Sequence, residues 1–173
     1  MKWFGKRIQV KKINAEIQPS VLVEDTPDAY ISMKDELLSM LLGHLQTLKT
    51  LEEDANHQYD SHPDLAQTEA FLTPLFKQYR EQYGKEVRTF CTDSLMQKGY
   101  AKSFGKPGEY AFLEEPYVVS FTMKQEDHAS LTFCYHNILN VQKRFVLKRI
   151  NGNWFVDEIW LKHSDGTWDS TSI

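Results

Sequence analysis

The hydrophobic pattern of this chain changes its period after the loop at residues 104–108. From residue 28 up to that loop apolar residues recur three or four positions apart, which is typical of amphipathic helices; after it they alternate with polar residues, which is typical of half-buried strands. Helices that precede the strands favour an α+β fold, because a doubly wound α/β fold alternates the two element types. We therefore expect N-terminal helices packed on a curved C-terminal antiparallel sheet.

The first helix is predicted over residues 28–54, where leucines form a wide apolar stripe. Thr26 is the expected N-cap, because Pro27 then occupies the first helical position, where proline is favoured. The polar, acidic residues 56–64 predict a loop. Gly43 is unfavourable in a helix interior and suggests close contact with a neighbouring element.

A second helix is predicted over residues 65–83, where leucine and aromatic residues recur at helical spacing. Pro74 falls inside this segment and implies either a kink or a restart of the helix. Gly84 is the expected stop. Residues 86–100 have a third, weaker helical pattern, with an inner restart capped within Thr92-Asp93.

At least four strands are predicted in the last third of the chain, and they form an antiparallel meander. Alternation of apolar and polar residues predicts two of them at residues 118–123 and 130–135. Two more, over residues 143–150 and 153–162, flank Asn151-Gly152. This dipeptide fits the left-handed dihedrals of a two-residue hairpin turn.

Two regions are expected along the chain: a basic arm or edge strand over residues 1–26, and a single α+β domain over residues 27–173. Pro19 restricts any strand in the first region to a sheet edge. The charges near the N-terminus are not followed by the apolar stretch of a signal peptide, and no apolar run approaches the roughly 20 residues that cross a bilayer. We expect a cytoplasmic protein that does not contact a membrane.

The net charge of −4 is distributed unevenly. The first 12 residues carry five basic side chains and no acid, so the remaining 161 residues have a net charge of −9. Residues 51–70 contain six acids and no lysine or arginine. A body of this charge repels nucleic acid and attracts basic partners, although negative charge also serves solubility alone.

The common catalytic signatures are missing from the sequence, which has no glycine-rich phosphate loop, HExxH, CxxC or nucleophile elbow. His57 and His62 lie in a polar segment without a closing ligand pair, so we expect neither a metal site nor a cofactor. Cys91 and Cys134 are interpreted as structural. The alternative is a thiol–imidazole pair of Cys134 and His136, which share a strand face.

The last predicted strand contains two adjacent carboxylates among large apolar groups. Alternation places Asp157 on the face of Ile159 and Glu158 on the opposite face. A carboxyl group directed into an apolar interior has a raised pKa and can act as a general acid or base. We favour the structural interpretation, in which the carboxylate pairs with Lys148 or Arg149 across the hairpin.

The segment after this strand is a polar turn followed by Trp168 and Asp169. Trp168 has no obvious core partner in the sequence. We expect it to fold back onto the sheet, and the alternative is that it projects as a contact residue.

The residues from Arg144 to Ile159, with Asn151-Gly152-Asn153-Trp154 at their turn, resemble the last hairpin of nuclear transport factor 2-like domains, which are cone-shaped α+β folds. Within that superfamily the chain is similar to bacterial immunity proteins that neutralise polymorphic or secreted toxins, of type VI or Rhs-like systems. Residues 71–75 and 89–95 also resemble members of that group. The resemblance covers residues 65–162, and the hairpin that the superfamily places between its second and third helices is missing.

This resemblance implies a non-enzymatic immunity protein that binds a cognate toxin in the cytoplasm, and the acidic body favours a basic toxin. The alternative is an isomerase- or dehydratase-like enzyme or a ligand-binding module, whose pocket inside the cone would use Tyr135, His136 and Asp157. The residues expected to contact the toxin are Glu52, Glu53, Asp54, Asp60, Asp165, Trp168 and Asp169.

Overall fold

In the computed structural model, which describes residues 18–137 and 139–173, helices pack against one face of a six-stranded sheet. The expected α+β class is confirmed, with the helices first and most of the sheet last. The helices are α1 (Asp28–Ile31), α2 (Met33–Asp60), α3 (Glu69–Phe90) and α4 (Asp93–Gln97), with a 3-10 turn at Ala111–Glu114. The strands are β1 (Ser20–Val23), β2 (Tyr117–Gln125), β3 (His128–Asn137), β4 (Leu139–Ile150), β5 (Asn153–Lys162) and β6 (Trp168–Thr171).

The strands lie in the order of the sequence, from β1 to β6, and the sheet is open. The meander from β2 to β6 is antiparallel, as predicted, but β1 runs parallel to β2, so the sheet is mixed. β1 lies at an edge, which agrees with the restriction that Pro19 imposes. The rest of the predicted basic arm, residues 1–17, lies outside the described residues.

Alternate side chains of the sheet point towards the helices and form an inner face. Val119, Phe121, Phe133 and Phe145 on this face are completely buried, and they pack with the leucine stripe of α2. On the opposite, outer face, side chains such as Val118 are half-buried. The alternation of apolar and polar residues in the sequence therefore corresponds to a sheet with one apolar face and one mixed face.

The hairpin of β4 and β5 has the predicted turn, with positive φ values of 51° at Asn151 and 84° at Gly152. Strict alternation along β5 is wrong, however. Val146 faces Glu158 while Leu147 faces Val156, so Asp157 is an extra residue in a β-bulge. 

Because of the bulge, the alternation of inward and outward side chains along β5 shifts by one residue. Val156 and Ile159 are consequently both buried, although they are three positions apart. Asp157 therefore has no partner residue on β4, so strict alternation does not describe its position relative to Ile159.

Helix α2 continues to Asp60, six residues beyond the predicted end, so most of the predicted loop is helical. The N-terminal prediction is also wrong in detail, because the residue at the N-cap of α1 is Pro27. The Thr26 hydroxyl instead donates to the Glu24 carbonyl and accepts the Met123 N–H at 3.0 Å. Gly43 has no neighbour within 4 Å of a built Cβ atom, so the close contact expected there is not present.

Helix α3 contains Pro74 in its interior and does not end at Gly84. It continues to Phe90, and Gly84 lies in its interior against Tyr100, where a Cβ atom would lie 2.6–2.8 Å from the ring and hydroxyl. The restart is confirmed at Thr92, whose hydroxyl accepts the Leu95 N–H at the start of α4.

Candidate functional site

Glu52 is a buried carboxylate that anchors the loop between α4 and β2. It is 4% exposed, and it accepts the backbone N–H groups of Glu109 and Tyr110 at 3.1 and 3.3 Å. Gly108 allows this approach, since a Cβ atom there would lie 2.6 Å from Glu52 Oε2. Burial raises the pKa of Glu52, although the two backbone hydrogen bonds oppose the shift.

One turn earlier on α2, Lys49 lies beneath two exposed glutamates. Its Nζ donates to Glu53 at 2.5 Å and to Glu114 at 2.9 Å. The Lys49 side chain is 6% exposed, whereas those of Glu53 and Glu114 are 53% and 62% exposed. Burial alone would lower the pKa of Lys49, but the hydrogen bonds and negative charges of the two glutamates outweigh it and raise the pKa.

Lys143 of β4 has the same relation to Glu109. Its ammonium pairs with the Glu109 carboxylate and lies 5.3 Å from the ring centre of Tyr110 and 5.6 Å from that of Phe145. The Lys143 side chain is 5% exposed and that of Glu109 is 43% exposed. The cation is therefore covered by aromatic rings and by the carboxylate, which faces solvent.

We define the carboxylate cluster as Glu53, Glu109 and Glu114, which pair with these lysines, together with Asp54, the exposed residue that follows Glu53 on α2. Glu52 and the two buried lysines hold the loop and the glutamates in place from beneath. The cations face the interior while the carboxylates face the solvent, so the surface is acidic although ion pairs stabilise it. Carboxylates fixed in this way lose less side-chain entropy when they bind a cationic group than free ones do.

Three buried tyrosines lie next to this cluster. The hydroxyls of Tyr83 and Tyr110 are 3.1 Å apart, and that of Tyr79 has no hydrogen-bond partner among the described residues. Burial, together with the negative charges of Glu52 and Glu109, raises the pKa of Tyr79 and of Tyr83 far above the usual range. These phenols are neutral at physiological pH and contribute packing.

The interior between the sheet and the helices is filled. Phe121, Phe133 and Phe145 are completely buried there, and Trp154 is 9% exposed. The alternative function requires an open cavity at this place for a small molecule. Aromatic side chains of the described residues occupy this place between the sheet and the helices.

The three residues expected to line the alternative pocket do not converge on one point. Tyr135 stacks on Phe112 with ring centres 4.0 Å apart, and burial raises its pKa to about 12. His136 is exposed, and its Nδ1 lies 3.1 Å from Asn140 Oδ1. Both line an open groove of about 430 Å³ at the end of the sheet, whereas Asp157 does not.

Asp157 and Glu158 are bound by neutral donors and not by the predicted Lys148 or Arg149. The Thr92 hydroxyl donates to Asp157 at 2.8 Å, and the Trp160 indole donates to Glu158 at 2.7 Å. The bulge explains the first contact, because it turns Asp157 towards the start of α4. Asp157 therefore joins two elements of the fold.

The predicted toxin contacts on α2 have different environments. Glu52 is buried, so it is not a surface contact residue, and that prediction is wrong for a physical reason: its oxygens hold backbone N–H groups. Glu53 and Asp54 are exposed within the carboxylate cluster. Asp60 is half exposed and pairs with Lys106.

The predicted contacts in the tail are bound to their neighbours. Asp165 accepts the N–H and the hydroxyl of Thr167, and these hydrogen bonds lower the pKa of Asp165. Asp169 lies 2.9 Å from His163. Trp168 folds back onto the outer face of the sheet, as expected, with the Arg144 guanidinium 4.1 Å from its ring centre.

Sequence reasoning missed four residues of the site: Lys49, Lys143, Glu109 and Glu114. The sequence does contain a signal for Lys143, because alternation places this lysine on the same strand face as the apolar residues Phe145 and Leu147. An inward-facing lysine in a strand needs a buried partner. The partner itself lies in a loop 34 positions away, and no local pattern identifies it.

The two cysteines are free thiols. Burial raises the pKa of Cys91 to about 12 and also raises that of Cys134, so neither thiol is activated as a nucleophile.

Among residues 18–137 and 139–173, no group of three or more His, Cys, Asp or Glu side chains is placed to hold a metal ion. None of the helices described is both long and apolar enough for a bilayer crossing.

Comparison of the chain with protein-family models, with curated proteins and with solved structures found no match.

Proposed function

We propose that this chain is an immunity protein with a nuclear transport factor 2-like cone, which binds a basic bacterial toxin in the cytoplasm and blocks it through the carboxylate cluster. The observation that carries the proposal is the arrangement of exposed glutamates over the buried Lys49 and Lys143. The filled interior supports a function at the surface. The proposed action is steric and electrostatic, and it needs no bond-making step.

The physical basis is electrostatic complementarity. A negatively charged surface accelerates the encounter with a cationic partner and places carboxylates against its lysines and arginines. Because Lys49 and Lys143 are almost inaccessible, they do not repel such a partner at contact distance. The carboxylates that they position remain free to accept further hydrogen bonds, since each carboxylate has about four acceptor sites.

The test is co-expression with the protein encoded beside this gene. The wild-type chain is expected to restore growth and to co-elute with that protein on size exclusion. A double variant, Glu53→Gln and Asp54→Asn, should lose both effects, because it removes two charges from the surface while Glu114 remains paired with Lys49. The affinity should fall at least tenfold.

A matched control removes the same kind of charge elsewhere. Asp35→Asn with Glu81→Gln changes two exposed acids, 83% and 67% exposed, that lie outside the cluster. This variant should protect as well as the wild type does. Unrelieved toxicity with the wild-type chain, or equal loss of protection in the control, would contradict the proposal.

A further inference from the structure

We propose that the outer face of the sheet is a second binding surface, which takes an acidic peptide segment of a partner protein with an apolar side chain beside its carboxylates. This surface lies opposite the carboxylate cluster, since the cluster is held by inward-facing residues. The proposal does not depend on the proposed function.

Three cations carry the electrostatic part of the argument: Arg144, Lys148 and Lys162 on the outer face of β4 and β5. Within the described chain, no carboxylate oxygen lies within 4.0 Å of their side-chain nitrogens. Lys124 on the same face differs, because it pairs with Asp25 at 3.4 Å. Asp127 lies near Lys148 and Glu24 lies near Cys134, so Arg144 and Lys162 carry most of the local attraction for anionic groups on this face.

Trp168 and Arg144 give this charge a fixed geometry. The indole ring of Trp168 lies 4.1 Å from the Arg144 guanidinium and 5.8 Å from Lys162 Nζ. Arg144 Nε donates to Thr132 Oγ1 at 3.2 Å, which holds the guanidinium over the ring. Its terminal nitrogens form no hydrogen bond to a described residue, so they are available to a carboxylate in the bidentate geometry that arginine favours.

A groove continues from this site across the sheet. Lys162 lies next to Gln142, which lies next to Cys134, which lies next to Val118, in a single row over four strands. The last three residues line the open groove of about 430 Å³. A peptide that crosses the strands can place an apolar side chain on Val118 and Cys134 and its carboxylates at Lys162 and Arg144.

Charge also favours a peptide over a nucleic acid. A phosphate backbone extends its charge well beyond three cations, and the net charge of the chain is −4. Glu158 also lies on this face, bound to the Trp160 indole N–H. A short segment with two or three carboxylates matches the available cations without reaching the acidic surfaces.

The experiment measures fluorescence anisotropy of a labelled, C-terminally amidated peptide, Glu-Glu-Phe-Glu, against the full chain. We expect binding that weakens with salt, and no binding of the matched peptide Gln-Gln-Phe-Gln. The double variant Arg144→Gln, Lys162→Gln should bind roughly tenfold more weakly. Lys124→Gln, whose lysine is already paired, should bind within about twofold of the wild type.

A second variant, Gln142→Glu, tests the proposal independently if the double variant does not fold. Gln142→Glu places a carboxylate between Cys134 and Lys162. It should weaken peptide binding at least as much as the double variant does, and its melting temperature should equal that of the wild type. Unchanged binding by the folded double variant and by Gln142→Glu would overturn the proposal. So would tighter binding of an oligothymidylate than of the peptide, or self-association of the chain that the same substitutions abolish.

Discussion

Lys143 and Arg144 are consecutive residues of β4, and their charged ends lie on opposite sides of the sheet. Lys143 is 4% exposed and pairs with Glu109 on the inner side. Arg144 lies over Trp168 on the outer side. One peptide unit therefore connects a buried cation that stabilises the acidic surface to a cation that is available to a ligand.

Lys143→Met should destabilise the fold, because it leaves Glu109 and the buried Glu52 without their nearest positive charge. Breaking a buried pair costs 3–5 kcal/mol, and the partial exposure of Glu109 reduces this to about 2–3 kcal/mol. Urea denaturation measures the change. Arg144→Met is the control and should cost about 1 kcal/mol, since it removes one cation–π contact and one hydrogen bond. Equal stability of Lys143→Met and the wild type would contradict the pairing.

Glu52 makes stability depend on pH with a definite sign. Its pKa is raised in the folded state, so the folded chain binds the proton more tightly than the unfolded chain does. The stability of the wild type relative to Glu52→Gln should therefore rise as the pH falls through the folded pKa towards the unfolded value of 4.5.

Unfolding curves at several pH values, recorded for both proteins, measure this difference. If the stability of the wild type relative to Glu52→Gln decreases as the pH falls, the pKa of Glu52 is not raised in the folded state.

Two glycines in helices should respond oppositely to alanine. At Gly84 a Cβ atom meets Tyr100 at 2.6–2.8 Å, so Gly84→Ala should destabilise the fold by about 1–3 kcal/mol. At Gly43 nothing lies within 4 Å, so Gly43→Ala should stabilise it by up to about 1 kcal/mol through helix propensity. Thermal unfolding distinguishes the two. The cost at Gly84 should shrink in a Tyr100→Ala background, and an unchanged cost there would contradict the steric explanation.

Thr92→Val should reduce stability by about 1–2 kcal/mol, because one hydroxyl caps α4 and also donates to Asp157. Thr92→Ser retains both hydrogen bonds and should stay within about 0.5 kcal/mol of the wild type. In a double-mutant cycle with Asp157→Ala, Thr92→Val should show a coupling energy. Strict additivity would mean that the Thr92–Asp157 contact does not join α4 to β5 in solution.

The fold class was predictable because its signals are local. The change of hydrophobic period after the loop at residues 104–108 predicts helices followed by strands, and Asn151-Gly152 predicts its hairpin through backbone preferences alone. Errors arose where a distant residue decides. Gly84 is the predicted end of a helix, yet it lies inside α3, where the absence of a side chain lets Tyr100 pack against the helix.

The candidate site was predictable only as a stretch of acidic sequence. The sequence by itself determined that residues 51–70 carry six acids and no base. Only the tertiary structure decided that Glu52 points inwards to backbone N–H groups while Glu53 faces solvent above Lys49. The physical reason is that the sequence determines how many charges a segment carries, whereas burial and pairing depend on elements that meet only in the folded chain.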